Sequence, residues 1–250
     1  MTIFQGYKGK ALAAIGLLVL SQLATAQTAI PDYIKKALAS SERTSEMTER
    51  DPARHPGEVL AMSGIKPGSV VVEIAGFGQY YTILLSDIVG PKGKVLVFDL
   101  PYMEPRTGDP SRAFAAKHPN TVYTNVNYND IKLPKDVDIV YNILYYHDLL
   151  INDIDANKLN KAIFAALKPG GVFLIEDHNA APGSGTTTTK ALHRIDPEVI
   201  KKEVLAAGFV LAEDSKLQAV ATDDHTKMVF TPGTRGATDR SLFKFVKPAK

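Results

Sequence analysis

The chain contains no cysteine, so no disulfide contributes to its stability. A cysteine-free chain carrying an export signal suits a bacterial periplasm. It also lacks any apolar run of the roughly 20 residues needed to span a bilayer, has no internal repeat, and carries a formal net charge of only +2. Both lysines that make up that excess, Lys8 and Lys10, sit at the extreme N-terminus. Without them the charge is zero, and no basic patch argues for nucleic acid. A length of 250 residues suits one domain with a real core, although length alone allows two.

The N-terminus carries a leader pattern. Lys8 and Lys10 precede the apolar run Ala11–Leu20, and Ala24-Thr25-Ala26 is a small-x-small site. This layout predicts a secretory signal peptide over residues 1–26, cleaved between Ala26 and Gln27. A periplasmic or secreted location with no membrane attachment after cleavage is expected. Residues 27–56 are polar, broken by Pro52 and Pro56, and predict an N-terminal helical arm with a short helix opened by Pro31. The remaining span, 57–250, is expected to form one α/β domain.

From Lys66 onward, apolar strands alternate with helical patterns. Ser69–Ala75 reads as a strand buried on both faces. Tyr80–Val89 has helical spacing, Gly90-Pro91-Lys92-Gly93 is a turn, and Lys94–Leu100 is a second strand. Asp109–Lys117 reads as a helix, Val122–Asn125 and Val137–Leu144 as strands, and Ala156–Leu167 as a helix closed by Lys168-Pro169-Gly170-Gly171. Val172–Glu176 is a fifth strand. Asp196 and Pro197 open a helix over Pro197–Ala207. Phe209–Leu211 and Phe243–Val246 are strands with no helix between them, and Gly183–Thr189 reads as a mobile loop. The pattern predicts a doubly wound, mostly parallel seven-stranded sheet with a C-terminal antiparallel hairpin.

Ligands of open α/β sheets bind at the carboxyl ends of the strands. That edge receives the loop Ala75–Gln79, then Asp99, Asn127–Asp130, Tyr145–Asp148, Glu176–His178 and Asp223–His225. Four of the six histidines, His147, His178, His193 and His225, fall on this side. Three roles remain open for them: acid–base work, metal ligation, or loop support. No HxH or HExxH spacing is present, so no metal site is assigned. Asp99 closes the second strand, where a carboxylate can accept ribose hydroxyls or else serve as a helix cap or salt-bridge partner; the strand context favours ribose.

The ordered set VVEIAGFGQYYT (71–82), GKVLVFD (93–99), DIVYNILYYHDL (138–149), LKPGGVFLIEDHNA (167–180), HRIDPEVIKKEVLAAGF (193–209) and the tail 223–245 resembles class I S-adenosylmethionine-dependent methyltransferases. Among them it is similar to exported bacterial proteins described as predicted methyltransferases. The resemblance implies that adenosylmethionine lies across the loop after strand one. Its binding residues would be Glu73, Ala75, Gly76, Phe77, Gly78, Asp99, Asn129 and Asp130. A small-molecule substrate would enter over His147, Asp148, His178 and Tyr146, the candidates for catalysis. The chain departs from the family's acid-x-Gly-x-Gly-x-Gly loop, because Ala75, Phe77 and Gln79 fill the three glycine slots. A nicotinamide GxGxxG reading from Gly76 also fails, since Tyr81 stands where the third glycine belongs.

Three functions follow. The first is methyl transfer to a small molecule, with His147 or His178 as general base. The second is proton-transfer chemistry on the same scaffold by the His/Asp/Tyr cluster, as a lyase, isomerase or hydrolase. The third is ligand binding without catalysis. Phe77, Tyr80, Tyr81, Tyr145 and Tyr146 favour a flat or aromatic ligand.

Overall fold

The computed structural model describes residues 1–2 and 29–249. The expected signal peptide and its cleavage point lie almost wholly outside the described residues. Among the described residues, no helix is long and apolar enough to cross a membrane.

Seven strands form one sheet in the order β3-β2-β1-β4-β5-β7-β6. They are β1 (Val70–Ile74), β2 (Lys94–Asp99), β3 (Thr121–Asn125), β4 (Val137–Ile143), β5 (Leu167–His178), β6 (Val210–Ser215) and β7 (Arg240–Val246). The first five are parallel, while β7 runs antiparallel between β5 and β6. The expected architecture is therefore the observed one. Strand β1 is central. Val71 lies between Val95 and Ile139, and Glu73 between Val97 and Tyr141. Being covered on both faces, β1 reads as a continuous apolar run.

Helices α1 (Asp32–Leu38), α2 (Ser45–Thr48), α3 (Asp51–Arg54), α4 (Pro56–Ser63) and α5 (Tyr80–Val89) precede β2. Then come α6 (Asp109–Lys117), α7 (Tyr146–Ile151), α8 (Ala156–Ala166), α9 (Thr189–Leu192) and α10 (Pro197–Ala206). One face of the sheet packs Val72, Ile74, Phe98 and Phe173 against Leu159, Ile163 and Val204 of α8 and α10. The other packs Val71, Val95 and Ile139 against Leu84 of α5 and Ile34 of α1. Ile34 is fully buried, so the N-terminal arm completes a core layer.

Two expected loops are more ordered than their composition suggests. Tyr146–Asp148 forms the first turn of α7. The glycine- and threonine-rich stretch is tied down by Asp196, whose Oδ2 accepts from the amides of Gly183 (2.8 Å) and Gly185 (3.2 Å).

The turn after β1 explains its own odd sequence. Ala75 and Gln79, in the first and third glycine slots, both take left-handed backbone angles (φ 60° and 64°), as does Gly78 between them (85°). The glycine-type backbone path is thus kept without glycine at two of its slots. Gly76 is needed for a different reason: a Cβ there would lie 2.6 Å from Val97 Cγ1 and 3.2 Å from Thr82 Oγ1.

Glu73 sits beneath this turn, buried, and accepts from Thr82 Oγ1 (2.6 Å). Burial pushes its carboxyl up to about 8, reinforced by Asp99 and opposed by the Thr82 bond and by Arg54. The folded chain therefore holds this proton more tightly than the unfolded chain does. The associated stability is full below the ordinary carboxyl range and is lost as pH rises towards 8.

Two stability measurements test these assignments. Gly76→Ala should cost about 1–3 kcal/mol in urea unfolding through overpacking, whereas Gln79→Gly should be neutral or stabilising by about 1 kcal/mol. Glu73→Gln should melt higher than wild type at pH 8, by about 2–4 °C for each kcal/mol relieved. That gap should close as the pH is lowered towards 4; a gap independent of pH would refute the protonated carboxyl.

Candidate functional site

At the carboxyl edge, β4 and β5 bring a histidine cluster together. Asp177, fully buried near the end of β5, accepts from the backbone amide of His147 (2.6 Å), from His147 Nδ1 (2.7 Å) and from the amide of His178 (2.8 Å). With Nδ1 so engaged, His147 turns Nε2 towards Asp148 Oδ1 at 3.2 Å, where it is buried without an aligned hydrogen-bond partner. Asp148 Oδ1 also meets His193 Nδ1 at 3.1 Å. The His178 ring lies 5.9 Å from that of His147, and His193 lies 5.4 Å from it. His178 Nδ1 is fixed by Thr238 Oγ1 at 2.8 Å.

The two central imidazoles are driven in opposite directions. Burial works to lower His147, but the carboxylates of Asp177 and Asp148 outweigh it and push it up to about 10. His178 is held well below its ordinary value by burial, then by the positive charges of His147, Arg240, Arg194 and Arg54. Asp148 is kept ionised: burial opposes this, but bonds and charge from His147 and His193 prevail. At neutral pH the site holds an imidazolium beside a neutral imidazole. One atom each from His147, Asp148 and His193 also lie within 4.8 Å of one another, a spacing that would admit a divalent cation. Sequence spacing gave no sign of this, because His193 is far along the chain from the other two.

The residues expected to hold adenosylmethionine are placed differently. Asp99 is fully buried. Its Oδ1 accepts from the Gly76 amide (2.8 Å), and its Oδ2 accepts from Thr107 Oγ1 (3.1 Å). Thr107 belongs to a single π-helical turn, Glu104–Gly108, that follows β2. The half-exposed Phe77 ring meets the Arg106 guanidinium of the same turn at 4.0 Å. Phe77 and Arg106 thus bridge the two loops that flank Asp99. Tyr128, buried, donates to Phe98 O (2.6 Å) and accepts from the Ala75 amide (3.0 Å). Asn129 spends its amide on the chain before α8, donating to Asp153 O and accepting from the Asp155 amide. Asp130 is exposed on the rim. With Asp99 sealed from solvent under the turn that carries Thr107, these residues do not fit a ribose in the arrangement observed.

Tyr146 is not brought to the cluster. Its hydroxyl donates to Glu203 (2.8 Å) and accepts from Asn160 (2.7 Å), on the side of α8 and α10. Asp223 and His225 do reach the edge, but they brace it. Asp223 takes both terminal nitrogens of the buried Arg194, and His225 Nε2 meets Asp239 at 3.0 Å. Sequence reasoning gave no role to Thr107, Tyr128 or Arg54. Arg54, at the end of α3, is buried over the Tyr80 ring at 4.1 Å. Its only sequence signal was the density of charge in 40–56.

No family model matches the chain. Among curated proteins it resembles the ubiquinone/menaquinone biosynthesis C-methyltransferase UbiE of Vibrio vulnificus, with 29% identity over 113 residues, 45% of this chain and 42% of that protein. The counterpart of Marinomonas sp. is 27% identical over 116 residues, 46% and 45% respectively. The chain thus spans less than half the length of the curated relatives it matches. Among solved structures, a SAM dependent methyltransferase from Aquifex aeolicus superposes with a TM-score of 0.57 at 19% identity, over 81% of this chain and 97% of that one. The [4+2]-cyclase SpnF gives 0.57 at 12% identity, over 88% and 94%. This chain has the Rossmann-like methyltransferase fold and is related to S-adenosylmethionine-dependent methyltransferases.

Proposed function

We propose that this protein is a small-molecule enzyme that uses the methyltransferase fold for proton transfer. The observation that supports this reading is the pair His147 and His178, neighbouring imidazoles with opposite protonation. Groups whose environments drive their pKa values apart are an acid and a base ready for use. His147 is the acid: its buried Nε2–H reaches a developing oxyanion by way of Asp148 Oδ1, 3.2 Å away, which relays the proton, while Asp177 holds the ring. His178 is the base, with Nδ1 anchored on Thr238 and Nε2 left to take a proton from carbon. The short separation of the rings suits a proton removed at one atom and returned at a near neighbour, which is an isomerisation; in an elimination the acid's proton goes instead to the departing group as its bond to carbon breaks. Asp148 and His193 hold the acid in line. The name of the SpnF neighbour shows that this fold also carries chemistry other than methyl transfer.

Methyl transfer is the second reading, favoured by the likeness to C-methyltransferases over 113 residues. It requires the turn Glu104–Gly108 to leave Asp99, and its base would be the neutral His178 rather than His147. A third arrangement, binding without catalysis, has no specific observation in its favour.

Incubation in deuterium oxide with a pooled small-molecule extract separates these readings. Proton transfer predicts that one component gains deuterium without added adenosylmethionine. The rate should fall about 100-fold or more in His147→Gln and in His178→Gln. It should be level across neutral pH and decline as pH approaches about 10, where His147 loses its proton. A product gaining a methyl group only when adenosylmethionine is supplied, with S-adenosylhomocysteine binding by calorimetry, would overturn the first reading in favour of the second.

A further inference from the structure

Tyr80, the first residue of α5, carries an unusual burden of positive charge. Three guanidinium groups of the N-terminal arm gather over its ring: Arg54 at 4.1 Å, Arg50 at 5.2 Å and Arg43 at 5.4 Å. Arg54 also lies 5.1 Å from the centre of the Tyr81 ring. Only Arg43 is balanced. Asp51 accepts from both of its terminal nitrogens (2.8 and 2.5 Å) and from the Tyr80 hydroxyl as well (2.5 Å). That carboxylate is then fully committed.

Arg54 has no such partner. It is nine-tenths buried, its Nε is sealed from solvent without a hydrogen bond, and its guanidinium forms no salt bridge among the described residues. The carboxyl groups around it form no ion pair with it. Glu176 gives Oε1 to Arg240 (2.7 Å) and keeps Oε2 buried without a partner, and Glu73 is held in its neutral form by burial. Arg50 is kept below its usual value by burial, by Arg54 and by Arg235. A buried guanidinium nitrogen without a partner is unfavourable, and the half-buried Arg50 over the same ring adds like charge beside it. The arrangement has the character of a receptor awaiting an anion. Stacked on Tyr80 and Tyr81, the Arg54 fork is already oriented, which suits planar, two-point recognition of a carboxylate.

We propose that Arg54, assisted by Arg50, binds the carboxylate of the small-molecule ligand at the carboxyl edge of the sheet. Arg54 stacks on Tyr80 and Tyr81 at the start of α5, directly after the turn that follows β1, so an anion held there lies at the carboxyl edge of the sheet. This rests on the reading of that edge as a small-molecule site, but not on which reaction occurs there.

Binding of benzoate and of its neutral counterpart benzamide to the full chain, at fixed ionic strength in chloride, tests the site. The readouts are the melting temperature and the arginine side-chain N–H resonances. Benzoate should raise the melting temperature and shift the Arg54 Nε–H signal, and benzamide should do neither. Arg54→Lys, which keeps the charge but loses the fork, should weaken benzoate about tenfold. Arg50→Ala, at a less buried position, should weaken it severalfold while leaving the fold intact. Equal effects of benzoate and benzamide would overturn the proposal, as would unchanged benzoate affinity in folded Arg50→Ala and Arg54→Lys. S-Adenosylhomocysteine and 5′-methylthioadenosine, which lacks the carboxylate, identify the source. Binding of the first alone makes the carboxylate that of a cofactor, and binding of neither beside bound benzoate makes it that of a substrate. Deuterium incorporation reads the reaction separately, so either conclusion can fail without the other.

Discussion

The buried carboxylate of Asp177 holds the site together. An ionised group sealed from water survives only when donors replace its hydration. Here the His147 amide, the His147 ring and the His178 amide supply them. These bonds have consequences at two levels. Mechanically, they pin the start of α7 to the end of β5. Electrostatically, they keep His147 charged, and that charge in turn helps hold His178 neutral. The backbone conforms to this demand. Leu144, between β4 and α7, takes a left-handed φ of 59° while its amide donates to Glu176 O at 2.7 Å. Such an angle in a branched residue is maintained only where the surroundings over-determine it.

The same reasoning separates what the sequence reveals from what it hides. Strand and helix identities were legible because burial on two faces leaves an unbroken apolar signature, as in Val70–Ile74 and Lys94–Asp99. Capping is equally local, and Asp196 was readable as the start of α10. The cluster was legible only as composition at strand ends. That Asp177 pairs with His147 follows from the register that sets Ile143 beside Glu176, and residue types do not encode that register. The role of Asp99 was misleading for a related reason. A carboxylate at the end of β2 is visible in the chain, but whether its oxygens are free depends on Thr107 and Gly76 folding back onto it. Tyr146 shows the limit for rotamers: one residue from His147, it serves the opposite side of α7.

The loop after β1 and the N-terminal arm are two halves of one electrostatic problem. A helix start is a concentration of positive potential, and α5 has no acidic residue in its first turn. Arginines brought onto Tyr80 at that point should be repelled, yet the arm places them there and buries Ile34 in the core beneath. Hydrophobic burial of α1 can carry the arm to this position, but it gives no reason for the side chains to be cationic. Asp51 neutralises one of them and no more. The excess makes sense if the charge is completed from outside the chain, at the edge where the sheet opens and the two histidines stand. On this view the altered glycine turn is not a damaged cofactor loop. It takes left-handed angles at Ala75, Gly78 and Gln79, sets Phe77 against Arg106 beside Asp99, and leaves its other side to the arginines of the arm.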